Sequence, residues 1–137
     1  MKRKIISRIK YYSYFIFPMI ICIICSVING NHNFLNIDSN KVQILVSISA
    51  SFIGVLLTVL TIYLAVPKNE TKIKRLKESY HEQIYLKNII TGIIFFLISI
   101  ISWIFFDNSY ISALTFLAGM ANIIISVYYT FALVKVM

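Results

Sequence analysis

Few residues in this sequence could do chemistry, and their spacing decides what chemistry is open to them. Cys22 and Cys25 lie inside the first apolar run, with no histidine or carboxylate near them in the chain. They are poor metal ligands there and read as packing thiols on one helix. His32 and His81 fall in polar stretches and read as solvated side chains, on opposite sides of a membrane if the apolar run between them crosses one. The acids are Asp38, Glu70, Glu78, Glu82 and Asp107, all outside the apolar runs. There is no HExxH, no Gly-rich phosphate loop and no nucleophile–base pair. Neither an enzyme nor a metal or cofactor site is expected.

The uncharged polar residues are patterned differently. In the second apolar run Ser47, Ser51, Gly54, Thr58 and Thr61 recur at steps of four and three, which places them on one helical face. In the last run Ser112, Thr115, Gly119, Asn122 and Ser126 do the same. Small side chains let helix backbones approach closely in lipid, so each stripe is expected to be a packing seam. The sharper alternative is the lining of a pore or substrate path. Asn122 sits near the middle of its run, and an amide left bare in hydrocarbon is costly. It is expected either to hydrogen-bond between helices or to join a polar ring in an oligomeric pore.

These stripes require elements that live in lipid. An apolar share of 59%, a charged share of 13% and a mean hydropathy of +0.83 are unlike a soluble domain, which is nearer one-quarter charged. The surplus lies in runs, and about 20 apolar residues suffice to cross the hydrocarbon. Spans are expected at about 11–29, 42–66, 89–106 and 110–134, giving an all-α integral membrane four-helix bundle in one domain. The first run could be a signal peptide, but its core is long and no small-x-small pair precedes a cut near Asn29, so a retained span is expected. Tyr11, Tyr12 and Tyr14 suit an interfacial belt, and Pro18 should kink the helix.

Between the second and third spans runs the one long polar stretch, PKNETKIKRLKESYHEQIYLKN, from Pro67 to Asn88. Pro67 ends the second helix by pushing Val66 out of the α region. Asn69 can cap a new helix, with Glu70 in its first turn. From Thr71 to Phe106 only Gly92 interrupts helix-forming composition, and that length spans about 54 Å, more than a bilayer. The third helix is therefore expected to extend into the cytoplasm as a basic helix over about 70–88. On that part Ile73, Leu76, Tyr80 and Ile84 form a narrow apolar stripe flanked by Lys72, Arg75 and Lys77. Its candidate partners are the anionic lipid surface, a cytoplasmic protein or the chain's own N-terminal segment.

A net charge of +8 could be a nucleic-acid footprint. The basic residues cluster beside the apolar runs, however, where they act as topology signals, so no direct nucleic-acid partner is expected. Five precede the first span, six lie in the central stretch and Lys135 follows the fourth span, leaving Lys41 alone on the other side. Both termini and the central helix are thus expected in the cytoplasm of a bacterial inner-membrane protein.

Four-span small multidrug exporters share this size and topology, but they depend on a carboxylate in the first helix, and none is present here. The segment TVLTIYLAVPKNE, followed by KIKRLKESYHEQIYLKNI feeding into the next span, resembles the small four-span membrane proteins of bacterial anti-phage systems. The resemblance covers mainly residues 51–106 and rests on pattern, so it transfers no functional residue. It implies a membrane protein that works with a soluble partner and perturbs the membrane as its output. The expected function is a non-enzymatic, homo-oligomeric effector or accessory subunit. The alternative is a small transporter, channel or bacteriocin-immunity protein.

Overall fold

The computed structural model describes residues 11–32, 35, 37–65 and 81–136, and the regular structure among them is α-helical. Four helices follow in order: α1 (Ser13–His32), α2 (Ser39–Ala65), α3 (His81–Phe106) and α4 (Ser109–Val136). Each is long and apolar enough to cross a membrane. Of the cytoplasmic portion expected over 70–88, residues 70–80, with Lys72, Ile73, Arg75, Leu76, Lys77 and Tyr80, lie outside the described residues.

Local chemistry sets the helix ends. Asp38 begins α2, its carbonyl accepting the Val42 N–H at 3.1 Å. Two residues separate α3 from α4. Asp107 takes a left-handed φ of 49°, and its N–H donates to the Trp103 carbonyl at 3.1 Å. That is the ordinary left-handed ending of a helix, usually occupied by glycine. Asn108 then caps α4, its side-chain oxygen accepting the Ile111 N–H at 3.0 Å. So short a turn makes α3 and α4 antiparallel neighbours.

This hairpin is the centre of the bundle. α1 packs on α4 and α3, and α2 packs on α3 and α4, whereas α1 and α2 make almost no contact with each other. Their link is held at Asn29, which is buried and accepts the Leu35 N–H at 2.7 Å. Phe96 of α3 fills the space between three helices. Its ring stacks on Phe52 of α2, meets Phe116 of α4 edge-on, and lies where a side chain on Gly119 would otherwise go. The remaining core residues are Leu56, Ile84, Tyr85, Ile89 and Tyr129.

One expectation changes here. Ile84, expected on an outward partner or lipid surface, is 1% exposed. The reason is that α3 is already part of the bundle from its first turns, so Ile84, Tyr85 and Asn88 face the core. The stretch of α3 long and apolar enough to cross a membrane, Glu82–Phe106, contains the expected span of 89–106. The first helix continues to His32, and its apolar stretch, Ser13–Gly30, lies close to the expected span of 11–29.

The outer surface of the bundle is apolar. Phe105, Phe106, Ile104 and Phe131 are all largely exposed, as are most Ile and Phe side chains of α1.

Candidate functional site

Within the bundle the polar groups meet at two places. The larger is a node joining three helices. On α3, Asn88, Gly92, Phe96 and Ser99 are buried at steps of four, four and three, so they form one face. On α4, Ser112, Gly119, Asn122 and Ser126 are buried opposite them, with Thr115 half-buried. The Asn88 amide nitrogen donates to the Asn122 carbonyl at 2.7 Å and to Ser126 Oγ at 2.6 Å. The Asn122 side-chain amide, oriented by its neighbours, donates to Asn88 Oδ1 at 2.9 Å and to the Tyr14 carbonyl at 3.0 Å. Its oxygen accepts from the Gly92 N–H at 3.2 Å. A primary amide offers two donors and an acceptor oxygen, so each asparagine has both donors and its oxygen engaged.

The bond to Tyr14 has a cause in the sequence of α1. Pro18 lies inside that helix and has no N–H to give the carbonyl four residues before it. That carbonyl belongs to Tyr14, and Asn122 supplies the missing donor. A carbonyl freed by proline and buried between helices needs a substitute donor of this kind. One asparagine thus ties α1 and α3 to α4.

The second place is a clasp near the hairpin turn. Ser99 Oγ donates to the Ser112 carbonyl at 2.8 Å, and Ser112 Oγ donates to the Ser99 carbonyl at 2.9 Å. Both residues are fully buried. Closer to the ends of the helices, Tyr110 Oη donates to Ser26 Oγ at 3.0 Å, and Thr130 Oγ1 donates to Tyr85 Oη at 3.3 Å. Gly92 and Gly119 allow this close approach. A methyl group on Gly119 would stand 2.8 Å from two carbons of the Phe96 ring, and one on Gly92 would stand 3.2 Å from Asn122 Cβ.

The α2 stripe is placed differently. Ser47, Ser51, Gly54, Thr58 and Thr61 are all exposed, and nothing lies within 4 Å of a methyl group built on Gly54. The residues α2 turns inward are Val42, Ser49 and Leu56, spaced by seven, about half a turn away. Periodicity tells which residues share a face but not which way the face points, so this stripe is no seam within one chain. Its hydroxyls donate to their own helix: Ser47 to the Gln43 carbonyl, Ser51 to Ser47, Thr58 to Gly54 and Thr61 to Leu57, at 2.8–3.1 Å. The stripe is therefore smooth, small and satisfied in its polar groups.

Asn88, Ser99, Ser49 and the Tyr14 carbonyl were not foreseen as part of the polar interior. Asn88 had a signal: it stands four residues before Gly92 and eight before Phe96, on the inward face of α3. Cys22 and Cys25 spell C-x-x-C on α1 and are free, half-buried thiols. Among the described residues no three His, Cys, Asp or Glu side chains come together as a metal site. An open groove of about 340 Å³ between α1 and α4 is lined by Ser13, Phe17, Ile124, Ile125, Tyr128 and Tyr129 and is almost wholly apolar.

No protein-family model, curated protein or solved structure matches this chain.

Proposed function

We propose that this chain is a non-enzymatic, multi-pass protein of the bacterial inner membrane, with both termini in the cytoplasm. It assembles into a homo-oligomer and acts as an effector or accessory subunit coupled to a cytoplasmic partner, as its resemblance to anti-phage membrane proteins implies. One observation carries the assembly: the α4 stripe is consumed inside the chain, while the α2 stripe faces directly away from the core. A flat face of glycine, serine and threonine is the surface on which helices approach closely in lipid. The apolar outer surface of the bundle supports insertion, because an exposed patch of that extent in water would aggregate.

In this reading any polar path runs between copies and not through one chain, since Asn88, Ser99, Ser112, Asn122 and Ser126 are bonded to one another inside it. The hydroxyls of Thr58 and Thr61 would line it. That same geometry supports the alternative of a small channel or immunity protein, and the neighbouring genes separate the two. A nuclease or sensor gene next door favours the effector, and a bacteriocin gene favours immunity. The experiment compares wild type, Gly54→Leu and Val55→Leu in bacterial membranes, reading both oligomer size in mild detergent and membrane potential after controlled expression. Gly54→Leu should reduce the oligomer to monomer and abolish any depolarisation, while Val55→Leu leaves both intact. Oligomers unaffected by Gly54→Leu would reject assembly through this face.

A further inference from the structure

We infer that Lys87, with Tyr11 and Tyr14, forms a discrete site for the phosphate of an anionic phospholipid where α1 meets α3; the inference rests on the membrane reading above. Lys87 is exposed, and its ammonium donates to the Tyr11 hydroxyl. It lies 4.5 Å from the Tyr11 ring centre and 5.9 Å from that of Tyr14. Two aromatic rings and a hydroxyl, from Tyr14 of α1 and from Tyr11 just before it, hold this side chain in place. Among the described residues no carboxylate pairs with it. An ammonium has three N–H donors, and the hydroxyl of Tyr11 takes one of them.

The depth of the residue identifies the ligand. Lys87 to Phe106 rises about 28 Å, close to the thickness of the hydrocarbon. With Trp103 and Phe106 at one boundary, Lys87 stands at the other, level with Tyr11, Tyr12 and Tyr14. Tyr12 is half exposed and meets Tyr11 edge-on with ring centres 5.1 Å apart, as in an interfacial aromatic belt. The anions found at that depth are lipid phosphates. An oriented cation with no described carboxylate beside it selects a headgroup of net negative charge over a zwitterionic one, whose own ammonium competes for the phosphate.

The test uses the full chain in nanodiscs of equal phosphatidylglycerol and phosphatidylcholine, followed by native mass spectrometry of the lipids retained. Wild type should retain phosphatidylglycerol with a preference of about fivefold, the effect of one well-placed lysine. Lys87→Gln should lose that preference and Tyr11→Phe should weaken it. Lys41→Gln, altering the lysine paired with Asp38 at the other end of the bundle, should leave it unchanged. Circular dichroism confirms that each variant remains helical. An undiminished preference in Lys87→Gln overturns the site, and so does a preference abolished by millimolar inorganic phosphate. Failure of the wild type to enter nanodiscs would instead refute the membrane reading.

Discussion

The bond from Asn122 to the Tyr14 carbonyl predicts an energetic coupling between Asn122 and Pro18, two residues far apart in sequence. Asn122→Ala removes three hydrogen bonds of unequal weight. The Gly92 N–H sits within α3 and retains that helix's own acceptor, so its loss matters least. The other two leave the Tyr14 carbonyl and Asn88 Oδ1 without their donor. An orphaned buried acceptor costs about 1–3 kcal/mol in a soluble protein, whereas an interhelical bond in lipid averages about 0.6 kcal/mol. Two of them give an expected loss of about 1–6 kcal/mol. Pro18→Ala gives residue 18 an N–H that can reach the Tyr14 carbonyl along α1. In that background, removing Asn122 orphans one acceptor instead of two. The double variant should therefore be milder than the sum of the singles by about 0.6–3 kcal/mol. Reversible unfolding of all four proteins in bicelles measures the cycle. Additivity to within about 0.5 kcal/mol would refute the assignment of Asn122 as the donor that Pro18 lacks.

Other substitutions test the packing and the turn. Gly119→Ala drives a methyl group into the Phe96 ring, and should destabilise the fold by about 1–3 kcal/mol in the same unfolding assay. Gly54→Ala, which meets open space, should leave monomer stability equal or slightly higher, since alanine favours the helix by about 1 kcal/mol. At the α3–α4 turn, Asp107→Gly should raise stability by up to about 1 kcal/mol, because the left-handed backbone of Asp107 is strained for a residue with a Cβ. A neutral or destabilising result would mean that the Asp107 side chain makes a compensating contact.

Much of this architecture is legible in the sequence, and the parts that are not have physical reasons. Four apolar runs bounded by Pro67, Asp107-Asn108 and polar loops correspond to four helices, because a helix long enough to cross a bilayer leaves a long hydropathy signal. The need of Asn122 for a partner follows from the cost of a buried amide. The identity of that partner does not, since it includes a main-chain carbonyl exposed by a proline in another helix. Asn88 was grouped with the polar stretch before it, because hydropathy averages along the chain and hides an inward-facing amide beside an outward-facing lysine. The stripes of α2 and α4 read alike as patterns, yet one is buried and the other exposed. Direction depends on the neighbours that pack against each helix, and only the fold supplies it.

The central claim is that one chain closes its own polar interior and presents Ser47, Ser51, Gly54, Thr58 and Thr61 to a second copy. Cysteine cross-linking in native membranes tests this most directly. Cys22 and Cys25 are first replaced by alanine, and single cysteines are placed at Ser51, at Thr58 and at Leu60, which packs toward the core. Copper-phenanthroline oxidation should give disulfide-linked dimers at Ser51→Cys and Thr58→Cys and leave Leu60→Cys monomeric. Monomers at all three positions, or dimers formed equally well at Leu60→Cys, would contradict the claim.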